Sequence, residues 1–134
     1  MREIKFRVWL HNPEAYDNRF FISADGITGV VAMGFCGELG SVLKPEEYVL
    51  EQFTGLKDKN GVEIYEGDMV QTKTNSLKED ENMEVYYDQL DGAYGLRDPA
   101  GVIGGHLLFF HIGTPVVIGN IHENPELLVM ARKT

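Results

Sequence analysis

Residues 52–71, QFTGLKDKNGVEIYEGDMVQ, contain the strongest turn and strand signals in the chain. Asn60 tolerates a left-handed backbone and Gly61 adopts positive φ angles without steric cost, so this pair predicts a tight turn. After the turn, the apolar residues Val62 and Ile64 alternate with a polar one, which is the pattern of a half-buried strand. We therefore predict a β-hairpin centred on the Asn-Gly pair.

A second turn signal, Glu66-Gly67-Asp68, follows closely, and residues 69–72 resume a composition that favours strands. Two turns about six residues apart, between short strands, favour a tightly bent small barrel or sheet corner. Backbone geometry explains the residues of both turns, so we interpret the stretch as scaffold.

Motifs in the middle and at both ends of the chain carry a family resemblance. They are GLKDKNG (residues 55–61), EIYEGD (63–68), MREIKFRVW (1–9) and VIGNIHENPELL (117–128). Together they resemble the YopX family of phage and prophage proteins. The resemblance implies an SH3-like barrel in the C-terminal part and an origin in a bacteriophage or prophage genome. It implies no activity and no functional residues.

Length and composition predict one small, mainly β protein with a minor helical part. A chain of 134 residues with 43% hydrophobic residues can bury a core, and its 15 glycines indicate many turns between short strands. We expect a strand-and-loop region over residues 1–44 and the barrel with a short C-terminal helix over 45–134, together forming one compact unit.

The acidic balance limits the classes of partner. A net charge of −9 and a pI of about 4.8 disfavour broad binding to nucleic acid, which depends on Lys and Arg neutralising phosphates. An acidic surface suits solubility or a basic protein partner. The chain start lacks the apolar core of a secretory signal, and no apolar run could span a membrane. With Cys36 as its lone cysteine, interpreted as a small buried residue, we expect a protein of the bacterial host's cytoplasm.

Alternation of Ile4, Phe6, Val8 and Leu10 with polar residues predicts an N-terminal strand. Further predicted strands cover residues 19–22, 48–53, 69–72, 83–88, 93–97 and 115–121, with a helical turn at 45–47, turns at 24–26 and 88–92, and a polar loop at 75–82. Residues 107–112 suit a strand or a short buried helix. Asn124 followed by Pro125 predicts the start of the C-terminal helix. The conformation of residues 23–44 and 98–115 is left open.

Four aromatic residues have two readings, namely Trp9, Tyr86, Tyr87 and Tyr94. Packing at a strand edge or across strands is the simpler explanation for each of them. The alternative is that Trp9 stacks on a base or anchors a partner, and that the three tyrosines form a surface that grips a ligand.

No residues are predicted to be catalytic, to bind a cofactor or to bind a metal. His106 and His111 are five apart, which places them on opposite faces of a strand, and His122 is interpreted as structural. The acidic run at 79–81 lacks the spacing of a calcium loop, residues 26–29 lack the basic helix of a nucleic-acid clamp, and residues 101–105 lack a phosphate-loop ending. We expect the protein not to be an enzyme.

Three function classes remain, in a definite order. The first is an accessory protein that acts as an interaction module for a host or phage protein. The second is a nucleic-acid-binding accessory protein, which rests on fold analogy and is disfavoured by charge. An enzyme comes last, because no nucleophile, base and orienting group are indicated together. Exposed strand edges make a homo-oligomer plausible.

Overall fold

The computed structural model describes residues 3–26, 28–30, 42–72, 81–97, 103–106 and 115–127. The described residues form eleven strands and one short 3-10 helix, Pro45–Glu47. The strands are β1 (Phe6–His11), β2 (Glu14–Asp17), β3 (Phe20–Ile22), β4 (Thr28–Val30), β5 (Tyr48–Lys57), β6 (Glu63–Tyr65), β7 (Asp68–Thr72), β8 (Glu81–Asp88), β9 (Ala93–Arg97), β10 (Ile103–His106) and β11 (Val116–Asn120). The predicted mainly β fold is confirmed.

The chain divides into two units: one is Phe6–Glu51, and the other combines Met1–Lys5 with Gln52–Thr134. The boundary predicted near Lys44–Pro45 lies N-terminal to this division and stays a prediction.

The unit Phe6–Glu51 contains two antiparallel strand pairs, β1 with β2 and β3 with β4. Residues 11–13 end β1 as predicted, the Asn12–Pro13 peptide bond is cis, and the chain turns back into β2. Strand β2 was not predicted from the sequence, because the segment EAYD is short and largely polar. Its pairing with β1, from Trp9↔Tyr16 to His11↔Glu14, makes it a strand.

The unit that contains the C-terminal part has a five-stranded antiparallel sheet in the order β10-β9-β8-β7-β11. Its core consists of Ile64, Val70, Met83, Val85 and Leu96, each less than 4% exposed. Bulges interrupt the register of β9 with β10 and of β7 with β11, and the sheet is curled like half of a barrel. The specifically SH3-like architecture stays a prediction.

Two details of this unit differ from the sequence-based prediction. Strand β8 begins at Glu81 rather than at residue 83, because Glu81 and Asn82 pair with Thr72 and Gln71 of β7. Strand β10 was not predicted. The predicted apolar segment 107–112 lies outside the described residues, as does most of the region 30–42.

The end of the described chain turns tightly around Asn124. Its side-chain oxygen accepts a hydrogen bond from the backbone N–H of Asn120 at 3.2 Å, and its backbone carbonyl accepts one from Leu127 at 3.0 Å. Glu126 and Leu127 are helical, and the rest of the predicted short C-terminal helix lies outside the described residues.

The predicted central hairpin is present, and Asp58 organises its turn. The turn lies between β5 and β6, and Gly61 has a φ of 82°. One carboxylate oxygen of Asp58 accepts hydrogen bonds from the backbone N–H groups of Asn60 at 2.8 Å and Val62 at 2.9 Å. The other accepts the N–H of Val117 in β11 at 3.0 Å. Asp58 thus ties the turn to a strand distant in sequence.

The same three contacts determine the protonation of Asp58. Burial raises the pKa of this carboxyl group, because it disfavours the charged form. The N–H groups of Val117, Val62 and Asn60, however, all stabilise the carboxylate. Together with the positive charge of Lys59, they outweigh the effect of burial and hold the pKa of Asp58 below its usual range.

We expect Gly61→Val to destabilise the protein by about 1 kcal/mol or more, because a β-branched residue is strained at positive φ. A Cβ at this position would meet no other atom within 4 Å, so a loss can be assigned to the backbone. Urea denaturation measures the change in the free energy of unfolding. An unchanged stability would contradict the positive-φ turn.

We expect Asp58→Asn to lower the free energy of unfolding at neutral pH by about 1–3 kcal/mol, because the backbone donors lose a charged acceptor. A lowered folded pKa means that ionised Asp58 contributes stability above its unfolded pKa of about 3.9, and that this contribution is lost as pH falls through the folded pKa.

The gap between wild type and Asp58→Asn should therefore shrink as urea denaturation is repeated at lower pH. The exposed Glu46→Gln is the control, and it should follow the wild type throughout. A gap that stays constant down to about pH 2 would contradict the role of the ionised carboxylate.

Candidate functional site

Trp9 does not offer a free stacking surface. The residue is 5% exposed, and its ring meets that of Tyr16 edge-on with the centroids 5.0 Å apart. A base or partner side chain would need the open face of the indole. The structure therefore favours the packing interpretation of Trp9.

Glu51 is a buried acid that accepts hydrogen bonds from two residues of β1 and β2. It is 2% exposed, and one carboxylate oxygen accepts hydrogen bonds from Arg7 Nε and from the Tyr16 hydroxyl, both at 2.8 Å. The Arg7 guanidinium also lies over the Tyr16 ring, 4.6 Å from its centroid. The Glu51 carboxylate, the Arg7 guanidinium and the Tyr16 side chain satisfy one another. We therefore attribute this cluster to stabilisation of the paired strands β1 and β2.

We expect Glu51→Ala to lower the free energy of unfolding by about 3 kcal/mol, because Arg7 and Tyr16 lose a shared, buried acceptor. Glu47→Ala is the matched control: Glu47 is exposed, and its replacement should stay within about 0.5 kcal/mol. Chemical denaturation of both variants measures the difference. Equal stabilities would show that the cluster is energetically neutral.

The three tyrosines of the β8–β9 hairpin do not form one surface. Residues 85 and 87 share one face of β8, and residue 86 lies on the other. On that other face the Arg97 guanidinium covers the Tyr86 ring at 4.7 Å from its centroid and pairs with Glu84 at 3.1 Å. Tyr86 is therefore covered by the hairpin's own residues.

Tyr87 and Tyr94 continue the face that carries the core. They lie opposite each other in the β8–β9 register, and their rings meet edge-on with the centroids 5.3 Å apart. Tyr94 packs against the core cluster, whereas Tyr87 is 44% exposed. The apolar inner face of the sheet thus extends to an exposed ring next to the turn.

The turn beyond these rings presents the most exposed large hydrophobic residue among the described parts of the chain. Leu90 is 97% exposed. Asp88 Oδ1 accepts hydrogen bonds from the N–H groups of Leu90 at 3.0 Å and Asp91 at 3.3 Å, and Gly92 donates to the Asp88 carbonyl at 2.8 Å. These bonds fix the loop in a shape that holds Leu90 outward. We call residues 87–92 the hairpin tip, and they are the candidate site.

The turn at 88–92 was predicted from the sequence. Leu90 was not predicted to be a contact residue. A leucine among turn-forming polar residues was the available signal, because turn positions are otherwise filled by Gly, Asn, Asp, Ser and Pro. Of the aromatic candidates, the structure places only Tyr87 in the tip.

The remaining residues considered in the sequence analysis are the histidines, the cysteine and the acidic side chains. Within the part of the chain that the structure describes, no three His, Cys, Asp or Glu side chains are grouped to hold a metal ion. The backbone N–H of His122 donates to Asn120 Oδ1 at 3.0 Å, within the turn at 120–124. Cys36 and His111 lie outside the described residues, as does the side chain of His106. No described helix has the length and apolar character needed to cross a membrane.

The model of the family described as YopX protein matches residues 5–129. The chain belongs to the YopX protein family. Among solved structures it is similar to EF1440 from Enterococcus faecalis, with 30% identity, a TM-score of 0.63 and coverage of 96% of this chain and 99% of the other.

The chain also resembles the yopX protein from Bacillus subtilis, with 20% identity, a TM-score of 0.62 and coverage of 96% and 97%. At that identity the likeness shows the fold alone. A comparison with curated proteins found no match. The predicted family membership is confirmed, and the comparisons assign no activity to the hairpin tip.

Proposed function

We propose that this chain is a protein-interaction module, an accessory protein of phage or prophage origin that acts in the bacterial cytoplasm and binds a partner through its hairpin tip. The observation that carries this proposal is the 97% exposure of Leu90 at the end of a hairpin whose base lies in the core.

The loop geometry makes Leu90 suitable as an anchor. Its backbone is already ordered by Asp88 and Gly92, so binding would cost little additional loop entropy. Transfer of an exposed leucine into an apolar cavity contributes about 1.5–3 kcal/mol. Within the tip, the half-exposed Tyr87 supplies an aromatic contact of the kind that is enriched at protein interfaces.

A nucleic-acid-binding role has less support. Trp9 is buried, and one face of the Tyr86 ring lies under the Arg97 guanidinium, which leaves both rings less open to a base. The tip itself carries Asp88 and Asp91, which would repel phosphates. Gel-shift experiments at low salt should show no binding to DNA or RNA, and a clear shift would favour that alternative.

The test of the proposed function is site-specific crosslinking in host bacteria. A photoreactive amino acid placed at position 90 should crosslink to a defined partner, whereas one placed at Ile4 should not. Ile4 is a matched control because it is also an exposed aliphatic residue, at 59%.

With the captured partner purified, Leu90→Ser should weaken binding about 10-fold or more, because the apolar transfer energy is lost. Ile4→Ser should bind like the wild type, and both variants should keep the wild-type melting temperature. Crosslinking that is equal at both positions, or binding that is unaffected by Leu90→Ser, would refute the tip as the interaction site.

A further inference from the structure

The turn between β5 and β6 contains a chemically reactive pair, Asn60 and Gly61. No other asparagine in the sequence is followed by glycine. Both residues are exposed, and the space where a Cβ of Gly61 would stand is open. Because glycine has no side chain to shield its backbone nitrogen, that nitrogen can reach the side-chain carbonyl of the preceding asparagine.

The reaction open to this pair is an intramolecular deamidation. The Gly61 nitrogen loses its proton and attacks Cγ of Asn60, the Cγ–Nδ2 bond breaks, and ammonia leaves with that proton. Water then adds to one of the two carbonyl groups of the cyclic imide, the C–N bond there breaks, and a proton returns to the Gly61 nitrogen. The product is aspartate, or isoaspartate when the main chain runs through the former side chain. Water is the only co-reactant.

The folded turn holds the attacking nitrogen away from this reaction. The N–H of Gly61 donates to the Asp58 carbonyl at 3.0 Å, and the N–H of Asn60 donates to Asp58 Oδ1 at 2.8 Å. To attack, the Gly61 nitrogen must turn toward Cγ and give up its proton, and both changes break its bond to Asp58. One residue therefore fixes the backbone on both sides of the reactive carbon.

The Asp58 carboxylate also opposes opening of the turn. Oδ1 accepts the N–H of Val62 at 2.9 Å, and Oδ2 accepts the N–H of Val117 in β11 at 3.0 Å. Hydrogen bonds to a charged acceptor are stronger than those between neutral groups. An exposed turn can open without unfolding of the whole protein, but here opening strains several bonds to one carboxylate.

We propose that Asn60 is a deamidation site whose reaction is controlled by opening of the turn, and that Asp58 keeps the reaction slow in the folded protein. This inference is independent of the hairpin tip. Isoaspartate at position 60 lengthens the main chain by one carbon between the N–H groups that Asp58 binds. The modification therefore removes the turn that opposed it, and it marks molecules in which the turn has opened.

The test follows deamidation of the full chain at mildly alkaline pH. Peptide mapping by mass spectrometry locates the modified residue, and enzymatic methylation detects isoaspartate. Asn60 should react at least about 10-fold more slowly in the folded protein than in the chain unfolded in guanidinium chloride. Equal rates in the two states would refute protection by the turn, and an unfolded chain that stays unmodified at Asn60 would refute the site.

Two variants separate opening of the turn from unfolding of the whole unit. Asp58→Ala removes the carboxylate and should accelerate deamidation about 5-fold or more under native conditions. Val85→Ala creates a cavity in the core but leaves the bonds of Asp58 in place, so its rate should stay within about 2-fold of the wild type.

Circular dichroism checks that both variants are folded in the assay. If Asp58→Ala does not fold, Asp58→Asn replaces it, with acceleration again expected because the acceptor is no longer charged. Equal acceleration by the turn variant and by Val85→Ala would assign the reaction to global unfolding. That result, or an unchanged rate in the turn variant, would overturn the protective role of Asp58.

Discussion

The structure of the C-terminal part depends on one buried carboxylate, that of Asp58. Two of its backbone donors, Asn60 and Val62, lie in its own turn, and the third, Val117, lies 59 residues away in β11. Among the described strands, β11 lies at an edge of its sheet, with β7 on one side and no described strand on the other. Asp58 satisfies one donor there, and in the same unit Ile121 donates to the Gly67 carbonyl at 2.9 Å. The turns of the central stretch therefore hold the closing strand, which is a structural reason for their sequence.

The five-stranded sheet that includes β11 also holds the base of the β8–β9 hairpin. Val85 and Leu96 face each other in the register and are both fully buried, and Tyr94 continues this packing toward the turn. Opposite Tyr94, the ring of Tyr87 is 44% exposed, and Leu90 in the following turn is 97% exposed. A protein that only needed a turn here could use a polar residue in place of Leu90. In the proposed function, Leu90 is the residue of this ordered loop that becomes buried on binding.

Local signals in the sequence predicted the fold class, the central hairpin and the turn at 88–92, because each depends on residues within a few positions. Strand β2 was missed because pairing with β1, not its own composition, makes it a strand. Trp9 lies between the alternating apolar residues of β1, yet it is 5% exposed and its ring packs edge-on against that of Tyr16. The hydrogen bond that the Val117 N–H donates to Asp58 could not be predicted from turn chemistry, because the two residues lie 59 positions apart in the sequence. Nor does any local pattern measure how exposed the Leu90 side chain is in the folded protein.

The acidic composition has two distinct physical roles that net charge alone does not separate. Glu51, Asp58 and Asp68 are buried and accept internal hydrogen bonds, including one from the Tyr65 N–H to Asp68 at 2.8 Å. These carboxylates are part of the scaffold, and their oxygens are not presented to a partner. Charge that can select a partner must lie at the surface beside a group that gains energy on burial, because exposed ion pairs alone contribute little affinity. The net charge of −9 therefore overstates the charge that a partner could meet at the surface.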